Sequence, residues 1–348
     1  MNRFGALLVL ALCSLSCSQD IPPRMEFVLG TLCSVNLFER GTVADYGAVF
    51  ARFREIQDVM ALTAASAGEG ATDLDLVNLN AGIGPVAVRG ELLDVLEEAR
   101  RYAELSGGAF DPTVGPLVKL WGIGSDNPRV PAADEIERAL ALVDWRDLVI
   151  DRAAGTAFLR RRGQSLDLGA IAKGYAADEA AAILRSRRSR RALIDLGGNI
   201  FALGERPWWR SWRIGVQDPL DDRGNYLGIL RVKNTSVVTS GVYERYFEEE
   251  GRRYHHILST SDGYPVQNGL LAVTIAAARS IDADALSTAC FALGPERGLA
   301  LVETLPDTEA VFVDRDRNVM LSSGAAKLFT LTGGNYRVIP TISSSNTR

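Results

Sequence analysis

From residue 192 to residue 276 the chain is a succession of short apolar segments parted by glycine-bearing turns, and this stretch limits the fold more than any other. The segments 192–194, 200–202, 212–216, 227–232, 236–239, 254–258 and 273–276 read as β-strands from their length and side-chain types. Upstream, a strand is expected at 27–38, with Gly30-Thr31 inside it, and shorter ones at 148–150 and 157–160. Helical periodicity marks 44–62, 90–106, 131–142 and the alanine-rich 178–188, with a glycine-bearing loop at 64–72. Helices at 283–293 and 295–305, then strands at 310–313 and 319–321, close the pattern. Strands and helices come in clusters rather than strict alternation, which favours an α+β fold over a doubly wound sheet.

The N-terminal residues stand apart. Arg3 precedes a short apolar run, 7–12, too short to span a bilayer, and Leu15-Ser16-Cys17 follows. This reads as a secretory signal over 1–16 ending in a relaxed lipobox, with Cys17 lipidated. The alternative is plain cleavage nearby and a soluble secreted protein. Residues 17–26 read as a tether and 27–340 as one domain, held by the anchor on the periplasmic side of the cytoplasmic membrane. Beyond the signal only Cys33 and Cys290 remain, read as two separate buried thiols, with a single bridge as the alternative. A net charge of −5 excludes a general nucleic-acid binder, so an anionic ligand would need a metal or a local basic pocket.

Several motifs carry chemistry. The first runs from Gly108 through Ala109, Phe110, Asp111, Pro112 and Gly115-Pro116 to Trp121. Its prolines and glycines exclude a regular helix and imply a shaped loop, with Asp111 extended before Pro112. It is either a ligand loop or a structural turn plugged by Phe110 and Trp121. The second is Asp167-Leu168-Gly169-Ala170-Ile171-Ala172-Lys173-Gly174. A strand ending at 166–168, a glycine turn and a helix start would present free N–H groups to an anion, with Lys173 adding charge. It is neither a Walker motif nor a dinucleotide fingerprint, and a tight join capped by Asp167 is the alternative.

Leu196-Gly197-Gly198-Asn199 reads as a strand reversal. Thr239-Ser240-Gly241 precedes His255-His256, the chain's two histidines. Alternation along a strand lets only one of the pair face a given site. Asp284 and Thr288, four apart on one helix face, form an oxygen cluster with Ser287 that suits magnesium; helix capping and back-bonding are the alternative. The run Arg185-Ser186-Arg187-Arg188-Ser189-Arg190-Arg191 reads as a solvated helix end, with anionic-lipid contact as the other use.

Together, and in this order, these motifs resemble the ApbE family, the FAD:protein FMN transferases, also described as flavin-trafficking lipoproteins. The resemblance implies a two-lobed α+β fold with antiparallel or mixed sheets, flanking helices and FAD in the cleft. It implies that Ala109, Phe110 and Asp111 line the FAD site, that Asp167 and Lys173 contact FAD, and that Ile257 touches the flavin. The Ala170 carbonyl, Asp284 and Thr288 would hold Mg²⁺ with Ser287 beside it, and His256 would lie at the reacting groups as the general base. The family often has Met-Gly-Thr where this chain has Leu29-Gly30-Thr31, and a flavin-stacking tyrosine near Thr63; Leu29 and Thr63 are the flavin-binding candidates there. After the histidines the family commonly reads Asp-Pro-x-Thr-Gly, where this chain has Ser259-Thr260-Ser261-Asp262-Gly263. The implied reaction moves FMN from FAD to a threonine hydroxyl of an exported acceptor protein with release of AMP. FAD hydrolysis or FAD storage without chemistry are the alternatives.

Overall fold

The computed structural model describes residues 22–38, 41–63, 70–206 and 210–340. The expected signal and Cys17 lie outside them. The fold is α+β. A nine-stranded sheet runs in the order Arg24–Val28, Thr31–Leu37, Ala192–Leu196, Asn199–Leu203, Thr235–Gly241, Leu270–Ala277, Thr308–Asp314, Asn318–Leu321, Arg337–Val338. Neighbours are antiparallel except the last pair. Alternation sends Phe201 and Val238 to one face and Ala202 and Val237 to the other. The first face packs on the helices Val43–Met60, Ala172–Ser186 and Ser280–Leu293. The second packs on a three-stranded sheet of Trp212–Gln217, Tyr226–Val232 and Phe329–Leu331. Covered on both sides, the Leu270–Ala277 strand is buried at every position, which is why its sequence is continuously apolar.

A small apolar cluster lies apart, built on Leu117, Trp121, Ile136, Tyr254 and Leu258. It joins the helices Gly115–Trp121 and Ala133–Leu140 to the Tyr246–Glu249/Arg252–His255 hairpin. Among the described residues no helix is long and apolar enough to cross a membrane. Cys33 and Cys290 are both buried and free.

Several elements differ from the sequence expectation. The 27–38 strand is a hairpin that begins at Arg24, inside the expected tether, and turns at Leu29 and Gly30 (φ 56° and 68°). A leucine rarely adopts this left-handed backbone. Here its N–H is held by Gln57 Oε1 at 2.8 Å. Part of the Gly108–Trp121 span is helical, because Pro116 sits in a first turn where its missing N–H costs nothing and Gly122 (φ 60°) ends the helix. The expected strand at 166–168 does not form; only a bridge between Val114 and Ser165 is present. The helix expected at 178–188 already starts at Ala172, the one expected at 283–293 at Ser280, and the strand expected at 254–258 stops at His255. The Asp73–Leu79 helix is too short for its periodicity to stand out, yet it carries a complete capping box between Thr72 and Asp75.

The Ala172–Ser186 and Ser280–Leu293 helices cap one another. Neither has a capping side chain at its own N-cap, Ile171 or Arg279. Asp178 accepts the N–H groups of Ser280 (2.7 Å) and Ile281 (2.9 Å), and Asp284 Oδ2 accepts the N–H of Gly174 (2.8 Å). Contact this close requires glycine: a Cβ on Gly174 would lie 2.5 Å from the Ser280 carbonyl oxygen and 2.8 Å from Asp284 Cβ. Gly174→Ala is therefore expected to cost about 1–3 kcal/mol of stability. A denaturation midpoint equal to that of the parent would contradict this packing.

Candidate functional site

The turn before Lys173 is built by hydrogen bonds within the second motif and to the first. Asp167 Oδ1 accepts the Gly169 N–H (2.8 Å), so it shapes the turn rather than capping the helix. The Asp167 N–H donates to the Pro112 carbonyl (2.8 Å), stitching the two motifs together. Gly115 is required here, since a Cβ would come within 2.4 Å of Ser165 Oγ. Lys173 extends its ammonium back to the Gly169 carbonyl (2.9 Å). The result is a helix N-terminus and a lysine beside one loop, an arrangement that favours an anion.

Gly174 lies four residues beyond Ala170, and its N–H goes to Asp284 instead of the Ala170 carbonyl. The carboxylate is 4% exposed and engages the helix through Oδ2. Ser287 donates to the Asp284 carbonyl (2.8 Å), so the expected back-bonding to the helix is made by Ser287. Ser240 adds a hydroxyl from the end of its strand, 2.8 Å from Ser287 Oγ and 3.3 Å from Thr288 Oγ1. Ser240 belongs to the Thr239-Ser240-Gly241 motif, which by itself assigns it no role. The signal was its alternation with Thr239, which points the other way and meets Thr274 Oγ1 at 2.8 Å. Among the described residues no group of three or more His, Cys, Asp or Glu could hold a metal. The donors present are one carboxylate, hydroxyls and a carbonyl. This all-oxygen set fits a hard cation that keeps part of its shell for water and phosphate, and it would not suit a transition metal.

Asp111 faces inward. Its Oδ1 accepts from Thr113 N and Oγ1 (both 2.7 Å) and its Oδ2 from Trp145 N (3.0 Å), while burial pushes its pKa up. Phe110 is buried edge-on to Tyr102, and Ala109 stays half-buried. Asp111 and Phe110 thus fix the loop, and the surface it offers is Gly108, Ala109 and backbone. Trp145 lies against Gly108, and its indole N–H is buried without a partner among the described residues. The 259–263 loop is tied to this one by Thr260 Oγ1 donating to the Gly108 carbonyl (2.7 Å), and to the small core by Trp121 Nε1 donating to the Gly263 carbonyl (2.8 Å).

The two histidines separate as the strand ends. His255 is buried, its Nε2 on the Val266 carbonyl (2.9 Å) and its Nδ1 accepting the Ile257 N–H (3.3 Å). His256 is half-buried, with Nδ1 on the Arg245 carbonyl (3.2 Å). A carbonyl only accepts, so Nδ1 carries the proton and Nε2 keeps its lone pair. Burial foremost, then the nearby cations Arg245 and Lys173, hold its pKa far below the usual imidazole value. Ile257 is buried in the main core. Leu29 reaches this end of the sheet through Thr31, which a Cβ on Gly197 would meet at 2.2 Å. Thr63 is further out. It donates to Asp75 Oδ2 (2.6 Å) at the head of the helix whose Asn78 bonds Leu166.

The ApbE family model matches residues 29–312. The FAD:protein FMN transferase of Treponema pallidum is 40% identical over 315 residues, 86% of this chain and 86% of that protein. That of Klebsiella pneumoniae is 41% identical over 263 residues, 76% of this chain and 81% of that protein. The crystal structure of the ApbE protein from Thermotoga maritima superposes with a TM-score of 0.80 at 32% identity, covering 88% of this chain and 98% of that one. The match spans the turn at Leu29 through the strand at Phe312, and with it the motifs from Gly108 to Thr288: the chain belongs to the ApbE family.

Proposed function

We propose that this protein is an FAD:protein FMN transferase that uses Mg²⁺ and acts outside the cytoplasmic membrane, tethered through Cys17. The observation that carries the reading is the meeting, at one end of the sheet, of the Lys173 helix start, the Asp284–Ser287–Thr288–Ser240 oxygens and the His256 imidazole. Agreement in name among relatives that share most of the chain supports the activity. The tether rests on the Leu15-Ser16-Cys17 pattern.

In this reading FAD is the substrate. Its pyrophosphate lies against the Lys173 helix start, and Ala109 and the Trp145 indole N–H border the loop beside it. The Ala170 carbonyl, Asp284 and Thr288 would hold the cation, with Ser287 and Ser240 orienting the hydroxyl side. Magnesium supplies charge neutralisation at pyrophosphate oxygens. The acceptor is a threonine hydroxyl on an exported protein. His256 Nε2 takes its proton, the hydroxyl oxygen bonds to the FMN phosphorus, the P–O–P link breaks, and AMP leaves. The Lys173 ammonium and the helix N-terminus stabilise the charge on the phosphates.

Two measurements test this. Asp284→Ala should lower Mg²⁺-dependent AMP release from FAD by roughly a hundredfold or more, the scale of losing a transition-state charge stabiliser. Full turnover in that variant would refute the cation site. Because His256 is neutral well below its ordinary pKa of 6.5, transfer should lack an acid limb near that value. A rate that falls with a midpoint close to 6.5 and loses that limb in His256→Ala would contradict a neutral imidazole.

A further inference from the structure

The arginine run of the sequence has no part in the chemistry just described. The Ala172–Ser186 helix carries Lys173 at its start, and its C-terminal end lies about 20 Å away, at the helical rise of 1.5 Å per residue. Arg185, Arg188 and Arg190 are exposed there and line a cavity of about 490 Å³ with Ser189 and Asn234. Among the described residues none of these arginines forms an ion pair, though the Arg185 guanidinium lies over the Phe201 ring, 5.4 Å from its centroid. Of the acids in the flanking segments, Asp45 pairs with Arg187, and Glu205 pairs through Oε1 with Lys233 while its Oε2 is buried without a partner among the described residues. Ser189 is 2% exposed, and its hydroxyl is buried with no partner among the described residues.

The cavity has a shaped floor. Gly204 (φ 70°) donates its N–H to Asn234 Oδ1 (2.8 Å), and a Cβ there would strike the Arg190 carbonyl oxygen at 1.9 Å. Arg188 itself sits at φ 64°, a helix-ending position that glycine or asparagine normally fills. A charged side chain kept at a strained backbone position points to a function for that side chain.

The register of the sheet says what the cavity faces. Leu37 pairs with Ala192, and Phe38 N–H donates to the Arg191 carbonyl (3.1 Å). Arg24 pairs with Val35, so the chain enters the fold at this same end of the sheet. The stretch from Cys17 to Arg24 reaches at most about 25 Å when fully extended. A lipid on Cys17 would keep the domain within that reach of the bilayer, and the entry side puts the arginine end nearer to it than the Lys173 end.

We propose that Arg185, Arg188 and Arg190, with the Ser189 hydroxyl, form a docking surface for anionic phospholipid headgroups, orienting the domain with its catalytic end away from the membrane. The orientation rests on the reading of Cys17 as the anchor; the headgroup surface itself is tested without it. A patch of this kind draws anionic lipid electrostatically within a Debye length, so salt should weaken it.

The test uses the full chain with Cys17→Ser, which removes the lipid, in sedimentation with phosphatidylglycerol-containing vesicles and with pure phosphatidylcholine vesicles. Preferential binding to the anionic vesicles is expected, reduced at least tenfold by R188E/R190E and by raised salt. Arg188→Gly, which suits the left-handed backbone, should also weaken binding while leaving the melting temperature equal or higher. AMP release from FAD should be unchanged in both variants, so a loss of vesicle binding is distinguishable from a failure of the proposed activity. Equal binding of parent and R188E/R190E to anionic vesicles would overturn the proposal, as would equal binding to both vesicle types. Release by inorganic phosphate at an ionic strength where chloride has no effect would assign the cavity to a free phosphate and overturn it too.

Discussion

The reciprocal capping of two helices holds this molecule in working order. Asp178 on the Ala172–Ser186 helix supplies the N-terminal acceptors of the Ser280–Leu293 helix, and Asp284 on the latter supplies one back. Each helix start would otherwise leave N–H groups without partners in a crowded interior, and a cap of this kind is worth about 1 kcal/mol. The exchange is possible because Gly174 has no Cβ to keep the backbones apart. Its effect is positional as well as energetic. It fixes Asp284 beside the Lys173 turn and brings Ser287 and Thr288 to the strand end that carries Ser240. Burial raises the pKa of Asp178 to about 6, even though two N–H groups oppose it. A charged Asp178 thus costs stability that is absent below the unfolded value near 3.8 and grows as pH rises through 6.

The same helix gives the fold two unlike ends. At one end lie the Leu29–Gly30 turn, the Gly197–Gly198 reversal, Lys173 and His256. At the other lie the chain entry at Arg24 and the exposed arginines of the cavity. In the proposed reading, substrate chemistry and membrane attachment are separated by the length of one helix. This separation would leave the reacting phosphate open to an acceptor protein approaching from the aqueous side.

The fold class was legible because clustered β segments exclude strict βαβ alternation, and the chain does form a largely antiparallel sheet. The hairpin at Leu29 is not legible locally because a leucine does not announce a left-handed turn; Gly30 alone hints at it. Likewise Pro116 has the local signature of a helix breaker although it sits where proline starts one. Of the expected site residues, Lys173 follows from its local turn, whereas Asp284, Ser287, Thr288 and His256 are placed by tertiary contacts that no local pattern contains. Asp111 illustrates the converse. Its position before proline suggested a side chain offered to a ligand, yet Thr113 and Trp145 bind both its oxygens. Thr63 stands apart from the Lys173 turn, held by Asp75.

The central claim is transfer of FMN to protein, and intact mass measurement tests it most directly. A threonine-bearing exported acceptor is incubated with FAD, Mg²⁺ and this protein, and its mass is recorded alongside AMP in solution. The account predicts an acceptor heavier by one FMN, attached through phosphate, with one AMP released for each. An unmodified acceptor with FMN and AMP free in solution, or FAD left intact, would contradict it.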